Sequence, residues 1–350
     1  MICLINRTFD GRHILACRMQ DDTLIKHNKL IVAAIDFGTT YSGYAYCIRK
    51  DYRENPANPK ILCNQWNEGT FLSVKAPTCV LFDPDKKFHS FGYEARKHYR
   101  ENPGKVDLAK WYYFEHFKMM LYKERDLTTE TYLEESLNIE EKERRKKMKA
   151  VDVFAAVIDF FKNHLLGNSI LQDSKFTEND VQWVITVPAI WDIKAKQFMR
   201  DSAKKAGISN DQLSLALEPE AASIHCRRVP VGVETEGDGR KTIATMNIGS
   251  KFIVLDQGGG TTDIAVHEIT GVNTLREIHP ACGGQWGGMT VNEEFSKFLV
   301  EIFGKDVINA IKESSPSAYF ELLHGFEHTK TNFKIEDVDN PEVWTSFRIP

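Results

Sequence analysis

The sequence has no excess of either charge, no long apolar run and no paired cysteines, and each absence removes a class of function. Its 45 lysines and arginines face 49 aspartates and glutamates, a net charge of −4, which leaves no electrostatic footprint for nucleic acid or an anionic membrane surface. No apolar stretch approaches the roughly 18 residues that a bilayer-spanning helix needs. The opening MICLINRTFDGRH is interrupted by charge too early for a signal peptide. Seven cysteines, at 3, 17, 47, 63, 79, 226 and 282, form no C-x-x-C pair. They point to reduced thiols in the cytoplasm rather than to a disulfide frame or a zinc site. The phosphate-binding pattern G-x-x-x-x-G-K-[ST] is missing, and so is G-x-G-x-x-G between a strand and a helix. What remains is an ordinary α/β composition, 42% hydrophobic and 27% charged over 350 residues, enough for two lobes with separate cores.

The chain does contain one element written twice. IDFGTTYS at 35–42 and LDQGGGTTD at 255–263 both read as a buried apolar strand, an aspartate, glycine and two threonines. An aspartate at the end of such a strand projects into the crevice where α/β folds bind ligands. Glycines after it let backbone amides approach a phosphate closely, and threonine hydroxyls add neutral donors. Either run alone is weak, because turns of this composition are common. Together they predict two phosphate-holding turns facing across a cleft, with Asp36 and Asp256 meeting where a hydrated Mg²⁺ would bridge to phosphate.

Around these turns the pattern alternates between strand and helix. Strands are expected near 61–65, 78–82 and 181–187, and helices over 151–167 and 193–206, each with a glycine just past its end. The aromatic stretch 107–122 reads as a half-buried helix. EEKERRKKMK at 140–149 reads as an exposed helical face, and 230–242 as a surface loop between lobes. Thr290 and Glu293 have the spacing of a capping box, and EVWTSFRIP at 342–350 reads as a strand. The expected division is a leader at 1–30 outside the core, a first lobe at 31–235 and a second at 236–350.

Five ordered segments carry a family resemblance: AIDFGTTYSG (34–43), WVITVPAIW (183–191), LALEPEAAS (215–223), IVLDQGGGTTDIAV (253–266) and GGQWGGMTVNEEF (283–295). Over about 31–300 the chain resembles the nucleotide domain of the seventy-kilodalton heat-shock family. YFEHFKMM and IWDIKAKQFMR resemble its divergent twelfth branch. That resemblance implies a duplicated actin-like ATPase (ribonuclease H-like) fold, two lobes around a cleft for ATP or ADP with Mg²⁺. It further implies slow hydrolysis coupled to lobe closure in a cytoplasmic, stress-related chaperone, with client proteins or co-chaperones as partners.

Carried over motif by motif, Asp36 and Asp256 would position the metal. Gly38, Thr39, Thr40, Tyr41, Gly258, Gly259, Gly260 and Thr261 would contact phosphate, and Gly287 and Gly288 would border the nucleotide. Glu218 and Asp263 would orient or activate water, and Lys118 resembles the lysine that steadies the γ-phosphate. Some positions depart from the family. Gln257 is polar where an apolar residue is usual, Lys196 replaces an arginine and so loses its bidentate fork, and Thr290 and Asn292 replace acidic residues. No late apolar-G-G-x-[ST] element appears before Pro350, so the second lobe is expected to be incomplete on its adenosine side. Two other functions stay open: a non-catalytic interaction module, and a sugar or acetate kinase of the same superfamily.

Overall fold

In the computed structural model, residues 2–5, 29–55, 59–68, 71–101, 110–124, 126–136, 146–167, 176–226, 232–235, 241–244, 246–271 and 274–332 are described. The strand expected at 342–350 lies outside them.

Two mixed sheets organise the chain, and each is built around one of the repeated aspartate strands. In the first, the order is Leu213–Leu217, Val181–Val187, Ile31–Asp36, Tyr41–Ile48 and Leu62–Cys63. Ile31–Asp36 runs parallel to Val181–Val187 and forms an antiparallel hairpin with Tyr41–Ile48. In the second sheet, Lys251–Gln257 forms the corresponding hairpin with Thr262–Gly271, which pairs onward with Thr274–Gly284. On its other side Ile2–Ile5 runs parallel to it. Part of the segment read as a leader therefore enters this sheet, while residues 6–28 lie outside the described residues.

The first sheet is stiffened by its core. Ile31, Ile35, Trp183, Ile185 and Val187 are fully buried, as expected for strands covered on both faces. The Ala150–Leu166 helix lays Phe154, Ile158, Phe161 and Leu165 against them. Phe154 stacks on Phe37, with ring centroids 5.3 Å apart and nearly parallel planes. The second helix, Ile193–Lys205, starts where the Asp192 side chain accepts a hydrogen bond from the Ala195 amide, an N-cap of the usual kind. Gly207 just beyond it adopts φ +87°, a backbone conformation that glycine enters without cost.

The helix Glu218–Cys226 joins the sheets. It leaves the end of Leu213–Leu217, with Pro219 in the first turn where a missing amide costs nothing. Ala222 then packs on the second sheet's Phe252, Val254 and Ile269, and the Ser223 hydroxyl lies 3.0 Å from His267 Nδ1. A third, smaller layer holds helices Gly288–Phe303, Lys305–Ser314 and Pro316–Asn332 around Leu299, Ile308 and Leu322.

Several local expectations need correction. The aromatic stretch is not a helix through its centre. Tyr112–Glu115 is a strand paired with Cys79–Phe82, followed by a short 3-10 turn at Phe117–Met119 and a helical turn at Met120–Lys123. Tyr113 and Phe114 enter different core clusters, so both faces are covered and the two-residue alternation that marks a strand is hidden. Residues 102–109 lie outside the described residues. The loop at 230–242 contains a hairpin, Gly232–Thr235 with Lys241–Ala244, whose β-branched Val233, Thr235, Thr242 and Ile243 suit strands. At the end of the charge run, Lys147–Lys149 pairs as a strand with Tyr132–Glu134, and Lys147 reaches Glu134 at 3.2 Å. Residues 140–145 of that run lie outside the described residues.

Candidate functional site

The aspartate strands place their carboxylates at matching points of the two sheets. Asp36 ends its strand opposite Gly43, and Asp256 stands next to last in its strand opposite Asp263. The turn after Asp36 is held from within. The Gly38 amide donates to Ser42 Oγ, Thr78 Oγ1 donates to the Gly38 carbonyl at 2.9 Å, and the Thr78 amide donates to the Thr40 carbonyl at 2.8 Å. Thr39, Thr40 and Tyr41 face outward from this frame and are half-buried or exposed. The turn after Asp256 is closed by the Gly258 amide donating to the Thr261 carbonyl at 2.9 Å.

The two turns meet. A Cβ built on Gly259 would lie 2.2 Å from Thr40 Cγ2, and one on Gly260 would lie 2.3 Å from Met119 Sδ and 2.7 Å from Thr39 Oγ1. Only glycine permits backbone this close. Gly287 is equally constrained, since its Cβ would lie 2.4 Å from the Gly259 carbonyl oxygen. That approach also decides where the next helix begins. Gly287 is the N-cap of Gly288–Phe303, and the Gly288 and Met289 amides donate to the Gly258 and Gly259 carbonyls at 3.1 and 2.7 Å. The capping box expected at Thr290 and Glu293 therefore does not form, and Thr290 Oγ1 donates to the Gln285 carbonyl instead.

Beneath the turns lies a buried cluster of charge. Lys118, Glu218, Asp256 and Asp263 are each at most 6% exposed. Lys118 Nζ lies 2.8 Å from Glu218 Oε1 and 5.1 Å from the centre of the Trp191 ring. The chain reaches Lys118 through His116, which adopts the left-handed φ of 57° directly after Glu115. Glu115, its side chain 10% exposed, is paired with Arg96 of the Tyr93–Glu101 helix. Burial opposes ionisation of Glu115, but the charges of Arg96, then His116 and His324, more than offset it and hold the carboxyl at about 2. Asp263 shows the reverse balance. Burial, then the charges of Glu218 and Asp256, push its carboxyl up to about 6, although Thr261 Oγ1 donates to Asp263 Oδ2 at 3.0 Å.

Whether these groups suit a divalent cation can be tested on their own chemistry. Among the described residues no three His, Cys, Asp or Glu side chains form a self-sufficient metal site. That is compatible with magnesium, which uses few carboxylates, keeps waters and leans on substrate phosphates. The Asp256 side fits such an ion. Hard carboxylate oxygens converge there, and Asp263 Oδ1 is buried with no hydrogen-bond partner. Asp36 is different. Its Oδ2 is paired with the Lys75 ammonium and its Oδ1 accepts from Thr186 Oγ1 at 3.0 Å. Reading the motifs missed both Lys75 and Thr186. Lys75 belongs to no recurring pattern, and only strand pairing brings it to Asp36.

The duplicated aspartate hairpins, with an acidic and lysine cluster between them, define a class. The model of the Hsp70 protein family matches residues 32–339, and the chain belongs to that family. Membership implies the actin-like ATPase fold, with which the mixed α/β architecture agrees. The chain is 38% identical over 348 residues to human Heat shock 70 kDa protein 12A, covering 86% of this chain and 50% of that protein. It is 36% identical over 350 residues to human Heat shock 70 kDa protein 12B, covering 86% and 49%. Chaperone protein DnaK of Stenotrophomonas maltophilia is 29% identical over 207 residues, 55% of this chain and 28% of its own length. The chain thus spans about half the length of the curated 12A and 12B relatives it matches. No helix among the described residues is long and apolar enough to cross a membrane.

Proposed function

We propose that this chain is a nucleotide-binding domain that takes ATP and ADP between its two glycine-threonine turns and hydrolyses ATP slowly, the two halves moving relative to each other as it does so. The observation that carries this reading is the convergence of Lys118, Glu218, Asp256 and Asp263 under turns supplied by both sheets. Amides and hydroxyls of Thr39, Thr40 and Tyr41 on one side, and the amides of Gly259, Gly260 and Thr261 on the other, would donate to phosphate oxygens, with Gly38 and Gly258 holding the turns open to them and Gly287 and Gly288 alongside. The Lys118 ammonium would offset charge on the terminal phosphate, as phosphoryl transfer requires. Glu218 and Asp263 would orient water. An Asp263 carboxyl poised at about 6 is near the range in which a carboxylate accepts a proton usefully at neutral pH. Bound magnesium would supply charge neutralisation at the phosphates, with Asp256 as its protein-side anchor. Client proteins or co-chaperones would read the motion of the halves.

A second reading has its own support. The turns touch at Gly259 with Thr40 and at Gly260 with Thr39 and Met119, so phosphate enters only if they part. A chain that stays closed there would be an interaction module without turnover. Calorimetric titration with Mg-ATP and Mg-ADP, on the native chain and on Asp256→Asn, separates the two. Heat of binding is expected in the native chain, followed by phosphate release over hours that is lost in the variant. Absence of heat in the native chain would rule out the nucleotide reading, and binding without phosphate release over hours would leave only the non-catalytic one.

A further inference from the structure

The two aspartate hairpins are alike in topology and unlike in charge. Across its hairpin from Asp256 stands Asp263, a second carboxylate. Across its hairpin from Asp36 stands Gly43, and one strand further out the pattern places a lysine. The short strand Ala76–Pro77 pairs antiparallel with Tyr41–Ile48, Ser42 opposite Ala76 and Tyr41 opposite Pro77. Continuing that register sets Lys75 beside Gly43, so Asp36, Gly43 and Lys75 form one row across three strands. The glycine in the middle is what lets the row close. A Cβ on Gly43 would lie 2.6 Å from the Val74 carbonyl oxygen and 3.2 Å from Lys75 Cγ, so the lysine stem crosses in the space a side chain would take. The ammonium lands on Asp36 Oδ2, with the two side chains only 12% and 19% exposed. Ser73 Oγ accepts from the Lys75 amide at 3.2 Å and fixes where the stem begins.

We infer that Lys75 is a resident cation for Asp36, which removes this aspartate from the metal site and leaves nucleotide binding in this chain largely independent of magnesium. The reason is competition. A divalent ion at Asp36 must displace an ammonium already paired in a poorly hydrated position, and must give up its own tightly held waters to do so. The opposite charge that the aspartate needs is already supplied, and Thr186 occupies its other oxygen. Magnesium then has only the Asp256 side to hold.

This inference rests on the nucleotide reading for its consequence but not for its central claim, and the experiment keeps the two apart. Free Mn²⁺, a spectroscopic stand-in for magnesium, is titrated by electron paramagnetic resonance in the absence of nucleotide. The proteins are the native chain and the variants Lys75→Gln, Lys75→Met and Lys75→Arg. Glutamine and methionine keep the stem that packs beside Gly43, and circular dichroism melts select the folded variants. The expected result is weak Mn²⁺ binding to the native chain and to Lys75→Arg, and binding at least about tenfold tighter in Lys75→Gln and Lys75→Met. Tight binding to the native chain, or no gain in the neutral variants, overturns the inference. A fluorescent ADP analogue is then bound with Mg²⁺ and with EDTA. Affinity that changes less than about threefold in the native chain, and at least about tenfold in Lys75→Gln, supports the consequence. An equal dependence in both overturns it. If the analogue binds under neither condition, the nucleotide reading falls, while the Mn²⁺ comparison still decides the role of Lys75.

Discussion

Lys118→Met tests the buried charge cluster most directly. The substitution keeps the length of the stem and removes the ammonium that lies 2.8 Å from Glu218, in a pair whose side chains are only 4% and 5% exposed. Glu218 is then left among Asp263 and Asp256 with its ion pair broken. Breaking a buried pair from one side costs about 3–5 kcal/mol, and that loss is expected in full at pH 8, where the carboxylates are ionised. The cost is smaller at pH 5, because Asp263 titrates at about 6 and is then largely neutral. The sign follows from linkage. A carboxyl raised above its unfolded value contributes stability that is fully present below about pH 4 and lost as pH rises through about 6. Without Lys118 the folded state binds protons more readily still, so the variant should lose stability more steeply than the native chain between pH 5 and 8. The difference between the two pH values should be about 1–2 kcal/mol. Urea unfolding followed by fluorescence at both pH values measures it. Removing both partners in Lys118→Met/Glu218→Gln should restore most of the loss, since the carboxylate that lost its ammonium is then gone as well. A cost below about 1 kcal/mol at pH 8, or an equal cost at both pH values, would refute the account of the cluster.

Two further outcomes follow from the same geometry. Gly259→Ala should cost about 1–3 kcal/mol, because its methyl meets Thr40 Cγ2 at 2.2 Å. The loss should largely disappear when Thr40→Gly is added, read as the recovered melting temperature; an additive double variant would show that the two turns do not touch. Glu115, held at about 2 by Arg96 despite its burial, contributes stability present above about pH 4.5 and lost as pH falls toward 2. That contribution is about 3 kcal/mol, and Glu115→Gln should flatten the acid limb of the unfolding profile, whereas an unchanged acid limb would place the titration elsewhere.

Much of the architecture was legible because it is written in local pattern. Ile31–Asp36 and Val181–Val187 are short, nearly continuous apolar runs, and buried parallel strands have no other way to look. The helices at Ala150–Leu166 and Ile193–Lys205 carry their spacing and end signals in the chain itself. Tyr112–Glu115 was read wrongly because a strand covered on both faces has no alternation left to read. The start of the helix at Gly288 was misplaced because it is set by Gly287 pressing on Gly259, which is distant in sequence.

The family resemblance pointed to Glu218, Asp263 and Lys118; by itself the sequence determined that two aspartate-glycine-threonine turns exist and that each follows an apolar strand. Those are properties of short segments, which composition and spacing carry. Only the tertiary structure decided that the two turns touch, that Lys118 pairs with Glu218, and that the two aspartates differ in their partners. Asp36 meets Lys75 through a gap that Gly43 leaves open, whereas Asp256 faces another carboxylate. Charge balance in a buried site depends on which side chains strand pairing brings within a few ångströms, and no local pattern encodes that.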